Sequence, residues 1–89
     1  MRNYEITAIH AGPHDPDRLI DSLLIEGTLW PIEKVIDWLR TGPHGFFVKA
    51  ATGRARVIAA RHWTSGRWFL TTEGQDFPPH DLLALRHVH

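Results

Sequence analysis

The chain of 89 residues is long enough for one domain and too short for two independent hydrophobic cores. Hydrophobic residues make up 43% of it, including four Trp and four Phe, which favours a compact domain over a disordered chain. Ten Lys and Arg balance ten Asp and Glu, and the lack of cysteine excludes disulfides, thiolate metal sites and a cysteine nucleophile.

The sequence carries no long apolar run. Residues 1–12, MRNYEITAIHAG, lack the uninterrupted apolar stretch of a secretory signal. Elsewhere the apolar runs cover only a few residues, whereas a membrane-spanning helix needs about 20. We therefore expect a cytoplasmic protein without a membrane partner.

The first third of the chain predicts two strands separated by a loop. Tyr4–Ile9 is rich in β-branched and aromatic residues, which is typical of a strand. Residues 11–17 contain two prolines and a glycine and therefore indicate a loop. Leu19–Ile25 is mostly apolar and predicts a second strand that ends at Gly27, although so short an apolar run is also compatible with a helix.

The clearest predicted element is a helix from Pro31 to Thr41. Its apolar residues recur at intervals of three and four and share one helical face: Ile32, Val35, Ile36 and Leu39. Pro31 suits the first turn, where a missing N–H costs no helical hydrogen bond. Gly42 is predicted to adopt the left-handed conformation after the last turn, and Pro43 prevents the helix from continuing. We expect the apolar face to pack on the sheet.

The second half of the chain predicts a β-meander of three strands. The predicted strands are Phe46–Ala50, Arg54–Arg61 and Arg67–Thr72. Short connections that contain glycine, 51–53 and 64–66, are typical of hairpins. Asp81–Leu85 is an apolar segment that we expect to pack back on the sheet. The pattern predicts a single α+β domain over residues 1–89, with a mixed or antiparallel sheet of four to five strands packed on one main helix.

Several of these segments together resemble a known bacterial family. The segments are Tyr4–Ile9, Trp30, Glu33–Leu39, Phe46–Val48, Trp68–Thr72 and Asp81–Leu85. Over nearly its whole length the chain is similar to the uncharacterised family called domain of unknown function 3892. The resemblance implies a small bacterial α+β domain. Because the family name carries no activity, the resemblance implies no catalytic residue.

The sequence predicts neither a metal site nor a catalytic site. Seven histidines include His10 and His14 beside a predicted turn and His87 near the end of the chain. A metal centre needs three or four convergent ligands, so we interpret the histidines as solvated and predict no cofactor. Neither Ser22 nor Ser65 lies in a Gly-x-Ser-x-Gly elbow. With no identifiable base or nucleophile, an enzyme is disfavoured.

One segment has an uneven charge distribution. Between Trp38 and Thr72 there are six basic residues and no acidic one, whereas the remainder holds four basic and ten acidic residues. The candidate polyanion-binding residues are Lys49, Arg54, Arg56, Arg61, Arg67 and Trp68. A basic sheet with an exposed aromatic side chain can follow phosphates and stack bases. Against this hypothesis, the pI of about 7.1 is below the basic range of such domains.

Self-association is the alternative hypothesis that needs the fewest special sequence features. A small open sheet has edges with unpaired backbone groups, and pairing them is a common route to a homodimer. We expect the homodimer to form through such an edge or through an adjacent apolar face. We therefore predict a non-enzymatic, self-associating or protein-binding module, with nucleic-acid or polyanion binding as the second hypothesis. Arginines clustered on one exposed face favour a polyanion. Arginines that are scattered, or paired with acidic residues such as Asp15, Asp17 or Glu73, favour self-association.

Overall fold

The computed structural model describes residues 2–42, 44–50, 53–75 and 77–88, and this part of the chain forms an α+β fold. Its strands are β1 Arg2–Ala11, β2 Ile20–Ile25, β3 Thr28–Pro31, β4 His44–Ala50, β5 Gly53–Arg61, β6 Trp68–Thr72 and β7 Arg86–His87. Its helices are α1 Ile32–Thr41 and α2 His80–Leu83. The predicted α+β class and the single main helix are confirmed.

The strands form one mixed sheet in the order β3-β2-β1-β4-β5-β6, with β7 added beside β1. β1 pairs in parallel with β4 and with β7, and the other neighbouring strands are antiparallel. The first half of β1 contacts β4, and its second half contacts β2 and β7. A register shift between Ile6 and Ala8 marks a bulge at this change of partner. The predicted meander is confirmed as β4-β5-β6.

The prediction of four to five strands was too low, because the described residues contain seven. β3 has only four residues, largely exposed and followed directly by the helix, so it shows no apolar alternation. It forms because Glu26 and Gly27 make a two-residue turn with φ of 51° and 79°. Positive φ at both central residues is what a type I′ hairpin requires. β7 has only two residues and depends on β1 for its pairing.

Helix α1 packs on one face of the sheet, as predicted. Its buried residues are Ile32, Val35 and Ile36, and Leu39 is partly buried. The prediction that Gly42 is left-handed was wrong, because this residue is extended with φ −112° and ψ 170°. Its N–H donates to the Trp38 carbonyl at 2.9 Å. β4 begins at His44, so the chain must leave the helix in an extended conformation. Pro43 lies outside the described residues.

The C-terminal segment returns to the sheet, which confirms the prediction for this region. Leu82 of α2 is fully buried and belongs to the main hydrophobic core. The Thr72 hydroxyl donates to the Asp81 carboxylate at 3.0 Å and ties α2 to β6. Neither helix of the described chain has the length and apolar character needed to cross a membrane.

Candidate functional site

Three of the predicted basic residues share one face of the sheet. Paired residues on neighbouring strands point to the same face, and successive residues alternate. Lys49 is paired with Arg54, and Arg56 lies two positions further along β5. Val57, which alternates with them, is fully buried in the core beneath α1. Lys49, Arg54 and Arg56 therefore lie on the face opposite the helix, and all three are exposed.

At the other end of β5, the cation of Arg61 lies on the face of the sheet that packs against α1. Arg61 is paired with Trp68, and both share the face of Val57. The Trp68 ring is half-buried, with the guanidinium carbons of Arg40 and Arg61 at 4.5 Å and 5.9 Å from its centroid. Trp68 is thus covered by two cations of the chain itself. The six candidate residues do not form one surface.

Arg67 takes part in a clasp that joins two distant parts of the sheet. We define the clasp as Asp15, Asp17, Arg18 and Arg67. Arg67 Nη1 and Nη2 donate to Asp15 Oδ1 and Oδ2 at 2.9 Å and 3.1 Å, and Nη1 also donates to Asp17 at 3.2 Å. Arg18 Nε donates to the carbonyl of Trp68 at 2.9 Å. The β1–β2 loop thereby holds the start of edge strand β6.

The clasp changes the pKa of Asp15 and the pKa of Arg67 in opposite directions. Burial tends to raise the pKa of Asp15, but hydrogen bonds from Arg67 and from the Asp17 amide, with the charges of Arg67 and Arg18, lower it below its usual value. Hydrogen bonds to Asp15 and Asp17 raise the pKa of the Arg67 guanidinium. The charged forms of both partners are therefore favoured in the folded state.

Replacing Asp15 with asparagine should lower the melting midpoint at neutral pH, and this effect should be lost in acid. A carboxyl group whose pKa is lowered by folding stabilises the fold above its unfolded pKa, and the contribution is lost as the pH falls through the folded value. Thermal melts should show a difference between wild type and Asp15→Asn at pH 7 that shrinks below about pH 4. Asp37→Asn, on the exposed side of α1, is the control. A difference that persists at about pH 2 would contradict the assignment.

A second feature is a cavity of about 230 Å³ beside α1, which the sequence did not predict. Its wall is mostly aromatic and includes Tyr4, Glu26, Trp30, Trp38, His44 and Phe46. Trp30 in β3 and Trp38 in α1 lie on either side of the junction between strand and helix. The spacing of these two tryptophans is the one feature of the local sequence that indicates the cavity. The remaining rings arrive through strand pairing, because the parallel register sets Tyr4 beside Phe46.

The histidines do not form a metal-binding group within the described chain, where no three His, Asp or Glu side chains converge. His10 Nδ1 donates to the carbonyl of Val88 at 2.9 Å. His87 Nε2 donates to the carbonyl of Leu83 at 3.0 Å. These two rings serve to hold the C-terminal segment. His89 lies outside the described residues.

The comparisons with known proteins leave the fold without an assigned family. No family model matches the sequence, and neither curated proteins nor solved structures give a significant match. Membership of domain of unknown function 3892 stays a prediction. The fold itself defines the class, which is a small α+β domain with one long helix on a mixed sheet.

Proposed function

We propose that this domain is a non-enzymatic module that pairs with a second copy of itself through the open face of its sheet. The open face consists of Glu5 on β1, Phe47 and Lys49 on β4, and Arg54, Arg56, Ile58 and Ala60 on β5. One observation carries the proposal: this face combines an apolar patch with charges of opposite sign on neighbouring strands.

The face supports the proposal better than the edges do. β3 is short and ends in Pro31, whose nitrogen cannot donate to a new strand. At the other edge, the carbonyl of Trp68 accepts from Arg18 and that of Thr72 accepts from the amide of Gln75. Edges that are short or already bonded resist strand addition. A face-to-face dimer is therefore favoured over a continuous sheet.

The open face carries an apolar patch. Phe47, Ile58 and Ala60 lie opposite the core and are half-buried, and Ala60 lies beside Phe69, which Phe77 and His62 cover on the same face. The Arg54 guanidinium carbon lies 4.3 Å from the Phe47 ring centroid and covers part of it. Burying such a patch against another copy is favourable at roughly 25 cal/mol per Å² of apolar surface. The exposed part of this patch would stay in contact with water in a monomer.

The charges beside this patch suit a copy of the same face. Glu5 lies on the β1 side, and Lys49 and Arg54 lie on the β4–β5 side. None of the side-chain ion pairs between described residues engages these three groups. A two-fold axis through the apolar patch would bring the acidic side of one copy to the basic side of the other. Opposite charges would then lie beside the buried patch.

Sedimentation or light scattering tests the dimer directly. At low salt and high micromolar concentration we expect a mass near twice the 10.2 kDa of the chain. Ile58→Lys should return the protein to a monomer, because a charge in the centre of a buried interface is unfavourable. Leu29→Lys makes the same kind of change on the exposed strand β3, four strands away, and should leave the dimer intact. A strictly monomeric wild type would contradict the proposal.

Polyanion binding is the second candidate, and the neighbouring Lys49 and Arg54 favour it. Because Arg67 is held in the clasp and Arg61 lies on the helix face, at most three cations of the open face could contact phosphates. Binding would then depend on salt with a log–log slope of about −2 to −3. The dimer proposal expects no oligonucleotide binding at about 50 mM salt. Salt-sensitive binding that a Lys49→Ala, Arg54→Ala double variant abolishes would favour the polyanion instead.

A further inference from the structure

We propose that the aromatic cavity beside α1 is a binding site for a small organic ammonium cation. The cavity is bounded by five rings and one carboxylate from β1, the β2–β3 turn, β3, α1 and β4. It shares no residue with the open face. The proposal is therefore independent of dimer formation.

Trp38 lies at the centre of the ring cluster, with one neighbouring ring edge-on to it and another stacked on it. The ring centroid of Trp30 lies 5.1 Å from that of Trp38 at 69°, and the ring of Phe46 lies 6.1 Å away at 17°. Tyr4 extends the cluster, 5.8 Å from Phe46. Aromatic faces carry negative charge density and attract cations within about 6 Å. The Lys34 ammonium already lies 5.5 Å from the Trp38 centroid, although Lys34 is not part of the cavity wall.

The charge of the wall has the sign that a cation requires. Glu26 supplies a carboxylate, and the described lining residues include no lysine or arginine. Glu26 has a φ of 51° in a turn position that favours asparagine, aspartate or glycine. A glutamate held in this left-handed conformation is a strained residue, and such residues occur at ligand sites. The side chain of glutamate is longer than those of asparagine, aspartate and glycine. Its carboxylate therefore reaches the cavity, whereas the side chains of the favoured turn residues would not.

His44 also lines the cavity. Its Nδ1 is buried without a hydrogen-bond partner among the described residues, which is uncommon for a buried polar atom. The volume of about 230 Å³ is smaller than the roughly 300–1,000 Å³ of pockets for drug-sized ligands. The volume, the aromatic wall and the Glu26 carboxylate together fit a cation of choline size.

Choline and its uncharged carbon isostere, dimethylbutanol, distinguish a cation site from a merely apolar one. Both are titrated into the wild-type chain while the indole N–H resonances are followed by NMR. We expect saturable shifts at Trp30 and Trp38 with choline, at an affinity about tenfold higher than with the isostere. Equal affinity for both probes, or no saturable shift with choline, would overturn the proposal.

Two variants test the wall itself. Glu26→Gln keeps the side-chain length and should weaken choline about two- to fivefold while leaving the isostere unchanged. Trp30→Leu keeps an apolar side chain and should weaken choline about tenfold. Trp63→Leu, at a position 88% exposed outside the cavity, is the matched control and should change neither affinity. Because Glu26 is exposed, its variant should fold, and unaltered choline binding by Glu26→Gln would contradict the assigned role of the carboxylate.

Discussion

Replacing Phe69 with alanine should lower the free energy of unfolding by about 3–5 kcal/mol. Phe69 is 1% exposed, although it alternates with the residues that face α1. Phe77 and His62 cover it on that side of the sheet, with ring centroids at 5.2 Å and 6.1 Å. Removing the ring loses its burial and leaves a cavity between a strand and a loop. A domain of this size has roughly 4–13 kcal/mol in total, so the loss would be a large fraction.

Chemical denaturation monitored by circular dichroism measures this loss, and the chain offers a matched control. Trp63 is also an aromatic residue near β6, but it is 88% exposed. Trp63→Ala should change the free energy of unfolding by no more than about 0.5 kcal/mol. If Phe69→Ala cost less than about 1 kcal/mol, the packing of Phe77 and His62 on β6 would be wrong.

Replacing Leu82 with alanine should cost about 2–5 kcal/mol. The helix α2 has only four residues, too few to be stable without tertiary contacts. Leu82 is its one buried side chain, and it inserts into the core formed by the sheet and α1. The substitution therefore removes the main contact that holds the C-terminal segment. Denaturant titration gives the stability change.

Hydrogen exchange adds a second readout to this experiment. β7 follows α2 directly and pairs with Ala8 and Ile9, so Leu82→Ala should speed amide exchange in β7 more than in β4. Leu29→Ala is the control, since Leu29 is 45% exposed and should cost less than about 1 kcal/mol. Unchanged stability and unchanged exchange in β7 would show that the segment is not anchored by Leu82.

The elements whose structure depends on residues close together in the sequence could be predicted from the sequence. The three- and four-residue spacing from Ile32 to Leu39 places these side chains on one face in any helix, and that face is the one that packs on the sheet. The β4-β5-β6 meander follows in the same way from alternating strands with short connections. Burial of the segment around Leu82 follows from its apolar composition.

Contacts between distant residues could not be predicted from the sequence. Arg67 pairs with Asp15 across 52 positions, so a cation assigned to a possible ligand surface is part of the clasp. Tyr4 and Phe46 meet only because β1 and β4 pair in parallel with one particular register. β3 and β7 are too short to have a pattern of their own, and Gly42 is extended because β4 follows at once. Local spacing determines which face a side chain shares, whereas strand order and register, set by the packing of the whole chain, decide which faces meet.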